Sequence, residues 1–162
     1  MKRLIKVLIL IIVPVIMVCF YIGRLNDASL YFEPPEYAGQ PYTEIAGNIP
    51  DFSDDEKKSD RAFEYYSGLD SLGRCGQAFA NICPELMPQE ERGPIGDIRP
   101  SGWHTVKYPD IIEDNYLYNR CHLIAYMLAG ENANEKNLIT GTRYLNVTGM
   151  LPFEIRVANY VE

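Results

Sequence analysis

One histidine, one arginine and three polar side chains downstream of them form the set of residues in this sequence that is best suited to catalysis. In the stretch YNRCHLIAY, Arg120 lies two residues before His122. Asn137, Asn146 and Glu154 follow further along the chain. A neutral imidazole can activate water, one hard oxygen ligand can hold a largely hydrated Mg²⁺, and an arginine can neutralise developing negative charge. Together these residue types are suited to the hydrolysis of a phosphodiester bond.

The cysteines offer two other kinds of site, and their spacing disfavours both. Cys75, Cys83 and Cys121 follow the N-terminal apolar segment, and their odd number allows one disulfide and one free thiol. A zinc site needs four ligands at close and regular spacings, which these cysteines and His122 do not show. Neighbouring side chains on a strand point to opposite faces, so Cys121 is poorly placed to use His122 as the base of a cysteine hydrolase. His104 could serve instead, but no motif links it to a cysteine.

The N-terminal segment, residues 1–24, is predicted to be a signal anchor. An uncharged apolar run, 7–23, is short for a membrane-spanning helix and long for the apolar region of a signal peptide. The small-x-small pattern that favours cleavage is absent after the run, so we expect an uncleaved transmembrane helix. Basic residues before the run favour a cytoplasmic N-terminus and an extracellular C-terminal domain, with secretion after signal cleavage as the alternative.

The rest of the chain is predicted to be a spacer followed by one α+β domain. Residues 25–58 are rich in proline, glycine, tyrosine and acids, which is typical of an extended spacer. At its end, SDDEKKSDRAFEYYSGL has helix-capping residues before an apolar pattern, which predicts one short helix. The domain, 59–162, has strand-like runs in GRCGQAFANIC, GWHTVKYP and NYLYNRCHLIAYML, and helical spacing in LITGTRYLNVTGMLPFEIRVANYVE. The fold class is therefore α+β.

The overall charge is unfavourable for binding a polyanion, but the acids are unevenly distributed. The net charge is −7 and the isoelectric point is near 4.9. Many of the acids lie in FSDDEKKSDRAFE and PELMPQEER, before the candidate residues. From Arg99 to the end there are six Lys and Arg residues against seven Asp and Glu residues. This near-neutral part allows weak, salt-sensitive binding without sequence preference, with Mg²⁺ supplying local positive charge.

Several stretches resemble the DNA/RNA non-specific endonucleases that have a ββα-metal active site. YNRCHLIAYMLAGENANEKNLITGTRYLN resembles that family's Asp-Arg-Gly-His signature and the metal-binding asparagine that follows it. The resemblance extends from LDSLGRCGQAFA through RPSGWHTVKY to the end of the chain, and it is closest to the membrane-anchored DNA-entry and secreted nucleases of Gram-positive bacteria. Asn119 stands where the signature has aspartate, so it can hydrogen-bond but carries no charge. Cys121 stands where the signature has glycine, which it can replace unless the backbone needs a positive φ.

This resemblance implies a role for each of the candidate residues. His122 resembles the family's general base, and Arg120 the arginine of its signature. Asn146 resembles the metal-binding asparagine, and Asn137 lies nine residues before it, as in relatives of this branch. Glu154 resembles the glutamate that orients metal-bound water. The resemblance thus supports phosphodiester hydrolysis, the same chemistry that the residue types indicate.

The resemblance also implies the cofactor and the binding partners. Mg²⁺ is the expected metal, with Mn²⁺ as a substitute, and the expected partners are DNA and RNA, bound without sequence preference. Arg99 is the first choice for the upstream phosphate-binding arginine, and Arg92 the second. The cytoplasmic membrane is a further expected partner, through the N-terminal helix.

The fold implied by the resemblance is a ββα-metal core of short antiparallel strands with a C-terminal helix. In the family, the chain continues past the helix that corresponds to FEIRVANYVE into further strands. We therefore expect a shortened sheet with an open edge and an uncovered apolar face on that helix. Two functions follow as expectations: a Mg²⁺-dependent, sequence-non-specific endonuclease outside the cytoplasmic membrane, or a truncated, catalytically weak or inactive nucleic-acid-binding remnant of one.

Overall fold

The computed structural model describes residues 12–15, 17–18 and 34–162. The predicted anchor, residues 1–24, lies outside these residues except for 12–15 and 17–18, which are helical. Among the described residues, no helix is long and apolar enough to cross a membrane. The contacts divide the chain into two units, Met1–Gly39 and Gln40–Glu162. All the strands and helices named below lie in the second unit.

Helix α1 (Asp54–Lys58) is short, and its sequence fixes both of its ends. Ser53 and Glu56 form a capping box: the Glu56 carboxylate accepts a hydrogen bond from the Ser53 N–H at 2.7 Å, and the Ser53 Oγ accepts one from the Glu56 N–H at 3.2 Å. Acids occupy the first turn and lysines the last, as the helix dipole favours. The sequence predicted that this helix would include the aromatic residues that follow, which is wrong: Phe63–Tyr66 is a strand. The aromatic residues of this segment favour a β-strand, and they pack against the strand that pairs with it.

Strands β1 (Phe63–Tyr66) and β2 (Ala78–Asn81) form an antiparallel pair. The rings of Phe63 and Phe79 pack edge to face with centroids 5.1 Å apart. The Asn81 side-chain amide donates to two backbone carbonyls between α1 and β1, at 3.0 and 2.9 Å. This pair confirms the strand predicted in GRCGQAFANIC, whereas GWHTVKYP contributes a single isolated bridge.

Strands β3 (Tyr118–His122) and β4 (Leu138–Thr142) form a second antiparallel pair and hold the candidate histidine. Helix α2 (Tyr126–Ala129) lies between them in the chain and ends at Gly130, whose φ of 67° is a left-handed conformation that favours glycine. The polar stretch that follows is a loop, as predicted. The helical spacing predicted from residue 138 onward is wrong for β4, where β-branched residues favour pairing with β3.

The last part of the chain is helical in two different ways. Residues Tyr144–Met150 form a π-helix, and helix α3 (Leu151–Val161) follows directly, with Pro152 in its first turn. The Leu151 N–H donates to the carbonyl of Asn146, five residues earlier, which is the π-helical pattern. Short antiparallel strands and a C-terminal helix thus confirm the α+β class.

The apolar core is small and lies between α2 and α3. Ala125 and Leu128 pack with Ala158 in this buried cluster. The other face of α3 exposes large apolar side chains, as expected. Burial of Ala158 against α2 fixes how α3 is rotated, and therefore where Glu154 lies. The partly buried residues around the core are Ile82, Met87, Ile124 and Met127; the exposed apolar residues of α3 are Phe153, Ile155, Val157 and Tyr160.

Candidate active site

His122 ends β3 and is buried, with 6% of its surface exposed. Its Nε2 lies 2.9 Å from the backbone carbonyl oxygen of Asn132. A carbonyl oxygen only accepts hydrogen bonds, so this contact requires the proton to be on Nε2. The lone pair of the neutral ring is then on Nδ1, which is the atom available to act as a base.

The surroundings of His122 favour its neutral form. Burial is the largest effect and lowers the pKa of His122, the Asn132 carbonyl acts in the opposite direction, and the charge of Arg92 lowers this pKa further. Arg92 Nη2 lies 3.5 Å from Nδ1 of the histidine. A histidine whose pKa is below its usual value is unprotonated at neutral pH, as a general base must be.

Cys121 lies next to His122 in the chain, but its side chain packs in the interior. It is fully buried, and a Cβ atom added to Gly141 on β4 would lie 2.7 Å from its sulfur. The sulfur therefore fills the space beside a residue that has no side chain. The cysteine is in a strand and its φ is not positive, so the backbone does not require glycine there. Cys75, Cys83 and Cys121 are all free thiols, so the disulfide that their number allowed is not formed.

A cleft of about 280 Å³, here called the inner cleft, brings together most of the residues singled out from the sequence. Asn146 comes from the π-helix and Glu154 from the first turn of α3, while β3 supplies Arg120 and His122. Arg92, from the segment between β2 and β3, completes the set. Burial raises the pKa of Glu154, and the charge of Arg92 opposes this shift.

The donor atoms of the inner cleft are suited to a hard, hydrated cation. Within the described part of the chain, no three His, Cys, Asp or Glu side chains lie close enough together to hold a metal ion. The inner cleft offers the amide oxygen of Asn146 and the carboxylate of Glu154. Mg²⁺ prefers oxygen ligands and retains several waters, whereas structural zinc needs nitrogen or sulfur ligands in a closed set. The residues present therefore fit Mg²⁺ better than zinc.

Arg120 is held firmly against the segment before β3. Its Nε donates to the Ile98 carbonyl at 2.5 Å and its Nη2 to the Gly96 carbonyl at 2.8 Å. The guanidinium carbon lies 3.8 Å from the centre of the Trp103 ring, a stacked arrangement that arginine favours. These contacts fix the positive charge of Arg120 at the rim of the inner cleft.

A larger cleft of about 580 Å³, the outer cleft, adjoins the inner one. Both clefts are lined by Arg92, Arg120 and Asn146. Arg99 lines only the outer cleft. Of the two arginines proposed from the sequence to bind phosphate, Arg92 is therefore the one beside the candidate base, although the sequence ranked it second. Further lining residues of the outer cleft are Trp103, Asp114, Tyr116, Asn119 and Arg143.

Asn137 does not reach either cleft. It is fully buried, and its amide makes two hydrogen bonds with the backbone of Ile124: Nδ2 donates to the carbonyl at 2.9 Å, and Oδ1 accepts from the N–H at 2.8 Å. The Asn137 carbonyl also accepts from the Leu123 N–H at 2.8 Å. The structure thus places Asn137 as a clamp on the backbone that follows His122, apart from the other candidates.

Asn132 is a residue whose importance the sequence did not reveal. Its carbonyl fixes the ring of His122, and its side-chain Nδ2 donates to the Pro94 carbonyl at 3.3 Å, near Arg92. Asn132 and Asn134 lie in one polar loop, where asparagine is common because it tolerates turn conformations. Since it is the backbone of Asn132 that contacts the histidine, no side-chain pattern could have identified it.

Comparison with known proteins gives two kinds of match. The family description "DNA/RNA non-specific endonuclease" matches residues 54–162. The fold is similar to that of NucA from Streptococcus agalactiae with a magnesium ion bound, at 23% identity and a TM-score of 0.54, covering 62% of this chain and 52% of that one. NucA with no metal bound gives 24% identity and a TM-score of 0.53, covering 62% of this chain and 50% of that one.

The extent of these matches decides what they establish. The chain spans about half the length of the NucA structures, and no curated protein sequence matches it. The family match, however, includes β1 to α3 and every residue that lines the inner cleft. This chain therefore belongs to the DNA/RNA non-specific endonuclease family.

Proposed function

We propose that this chain is a Mg²⁺-dependent endonuclease that hydrolyses phosphodiester bonds of DNA and RNA without sequence preference. The observation that carries the proposal is the inner cleft, where the unprotonated Nδ1 of His122 lies 3.5 Å from Arg92 Nη2, in a space that Asn146 and Glu154 also line. This cleft combines a base, a positive charge and hard oxygen donors in one small volume. Membership of the endonuclease family is an independent support for the same chemistry.

In this proposal His122 is the general base. A water molecule beside Nδ1 loses a proton to the ring as its oxygen attacks phosphorus, and the ring becomes positively charged. The bond from phosphorus to the leaving sugar oxygen breaks, and this oxygen takes up a proton from solvent. The Asn132 carbonyl stabilises this charge through the Nε2–H bond, which keeps the ring in place during proton transfer. Burial and Arg92 keep the ring neutral before the reaction.

The remaining residues of the inner cleft act on the phosphate and the metal. Arg92 and Arg120 offset the negative charge that builds up on the phosphate oxygens. Asn146 would hold a hydrated Mg²⁺, and Glu154 would hydrogen-bond to its water shell. When bound, the ion supplies positive charge that stabilises the phosphate and leaving oxygens. Asn137 has a positioning role in this scheme, because its side chain is already bonded to the backbone of Ile124.

The test is cleavage of plasmid DNA and of a structured RNA by the full chain, with Mg²⁺ and with EDTA. We expect cleavage with Mg²⁺ and none with EDTA, and a loss of about a hundredfold or more in His122→Ala, the usual scale for a general base. His104→Ala is the matched control, because His104 is exposed and lines neither cleft. Cleavage by His122→Ala at the wild-type rate would overturn the role of the histidine. Nucleic-acid binding without cleavage would instead support the catalytically inactive alternative.

The proposed location is the outer face of the cytoplasmic membrane. It is supported by the basic residues before the apolar run 7–23 in the sequence. Protease added to intact cells should then digest the domain and leave cytoplasmic proteins intact. Protection of the domain, or its release into the medium as a cleaved form, would contradict the anchored arrangement.

A further inference from the structure

The outer cleft combines four arginines with a single carboxylate. Arg92, Arg99, Arg120 and Arg143 line it, and Asp114 is the one acid among its lining residues. Within residues 34–162, Arg143 is the only one of the four that forms an ion pair with a carboxylate. Direct ion pairs therefore offset the positive charge of this cleft at Arg143.

The ion pair joins one partly buried arginine to two exposed acids. Arg143 Nη1 contacts Asp114 Oδ2, and Arg143 Nη2 lies 3.9 Å from Glu113 Oε2. The Arg143 side chain is 23% exposed, against 60% for Asp114 and 90% for Glu113. The Arg143 backbone N–H also donates to the Leu117 carbonyl at 2.8 Å. The guanidinium is thus held in the wall of the cleft, while the acids can turn away into solvent.

A phosphate group is a better partner for this guanidinium than a solvent-exposed carboxylate. Exposed ion pairs are weak and exchange readily with other anions, whereas arginine can bind a phosphate through two parallel hydrogen bonds. The outer cleft also continues into the inner cleft through the shared residues Arg92 and Asn146. A strand whose scissile phosphate lies at His122 can therefore extend past Arg143.

We propose that Arg143 binds a phosphate that flanks the scissile bond, and that Asp114 occupies this place in the free protein until the nucleic acid displaces it. This inference rests on the proposed function, because it takes a nucleic acid as the occupant of both clefts. Asp114 weakens binding twice: its pair with Arg143 must break, and its charge then repels the bound strand. It also reduces the dependence of binding on salt, because the charge of Asp114 offsets that of Arg143 and fewer of the cations condensed on the nucleic acid are then released.

The test measures binding of the full chain to a fluorescein-labelled single-stranded 12-mer DNA by fluorescence anisotropy, in EDTA and over a range of NaCl concentrations. At low salt Asp114→Asn should bind about threefold to fivefold tighter than wild type, the scale of one exposed ion pair. The slope of log Kd against log salt should steepen by about 0.7, the value for one more contact to a single strand. Asp110→Asn is the matched control: it makes the same charge change in an exposed residue of the same loop, but Asp110 does not line the cleft.

A double variant shows whether the effect acts through Arg143. In an Arg143→Gln background, Asp114→Asn should lose most of its gain in affinity. In the same way, Arg143→Gln should weaken the binding of the wild type less than it weakens the binding of Asp114→Asn. With Mg²⁺, Asp114→Asn should lower KM. Circular dichroism should show that both single variants are folded.

The outcomes separate this inference from the proposed function. Equal gains in Asp114→Asn and Asp110→Asn, an undiminished gain in the Arg143→Gln background, or no binding by any variant would each overturn the inference. If the wild type cleaves DNA but Asp114→Asn behaves like Asp110→Asn, only the inference fails. If no protein cleaves but the binding pattern is as expected, the inference holds for a nucleic-acid-binding protein and the proposed hydrolysis fails.

Discussion

Replacing Asn137 with alanine removes the two hydrogen bonds that clamp the backbone where the chain leaves β3. Both bonds go to Ile124, one from each end of the amide, with lengths of 2.9 and 2.8 Å. Asn137 is fully buried, so the backbone N–H and carbonyl of Ile124 lose their partners in a space that water reaches poorly. Alanine restores neither bond.

The cost follows from those two groups. A buried polar group left without a partner costs about 1–3 kcal/mol, so the two together cost about 2–6 kcal/mol. Partial relaxation around the vacated space reduces this to about 2–4 kcal/mol, against a total stability of about 5–15 kcal/mol for a domain. For a domain of this size the melting temperature should then fall by roughly 10 °C.

Urea and thermal unfolding of the full chain, followed by circular dichroism, measure this change. Asn134→Ala is the matched control, because Asn134 is in the same loop and its side chain accepts an exposed bond from the Lys136 N–H at 3.0 Å. It should change the melting temperature little. Where Asn137→Ala remains folded, its kcat should stay within about tenfold of wild type, far from the hundredfold losses of a general base. A normal melting temperature with a hundredfold loss of cleavage would refute the clamp and place Asn137 in the chemistry.

Three further results are expected. Asn146→Ala should abolish Mg²⁺-dependent cleavage but leave DNA binding in EDTA unchanged, as measured by anisotropy, since only the metal ligand is lost; an equal loss of binding would contradict this. Arg92→Gln should move the acid limb of the kcat/KM profile to higher pH. The charge of Arg92 lowers the pKa of His122, so its removal raises that pKa and the ring becomes protonated at a higher pH. A shift of the acid limb to lower pH would refute its assignment to His122. Cys121 should react with iodoacetamide at pH 8 more slowly than Cys75 and Cys83, as measured by mass spectrometry, because Cys121 is fully buried and the other two are only partly buried. Burial raises the pKa of Cys121 to about 11, and it also raises the pKa of Cys75, which makes Cys83 the best reference. Labelling of Cys121 as fast as that of Cys83 would contradict its buried position.

The sequence was informative about the site through a resemblance and not through spacing. His122 and Asn146 are far apart in the chain, and Pro152 interrupts the pattern between Asn146 and Glu154, so no helical or strand period could bring them together. Family motifs selected these residues, and the structure places all three at the inner cleft. Asn137 was selected in the same way, although its side chain is bonded to Ile124. An asparagine amide can serve a metal or a backbone equally well, and only its neighbours decide which.

Errors in the predicted elements have a related cause. Phe63–Tyr66 and Leu138–Thr142 were predicted to be helical, but each pairs with a strand that is distant in the chain. Short apolar runs fit either period, and the pairing partner decides between them. The capping box at Ser53, by contrast, is local, and there the helix begins as the sequence indicates. Patterns that depend on near neighbours were thus easier to interpret than those that depend on distant strands.

The π-helix at Tyr144–Met150 makes this turn of the chain tolerant of a one-residue deletion. A π-helical turn contains one residue more than the same turn of an α-helix. Deleting one residue between Asn146 and Leu151 would allow the segment to continue as an α-helix, with Leu151 and the residues after it still in place relative to Asn146. The same deletion between Leu151 and Glu154, within α3, would instead turn Glu154 by about 100° and draw it back by about 1.5 Å. The direction of Glu154 relative to Asn146 therefore depends on which turn loses the residue as much as on the identity of the two side chains.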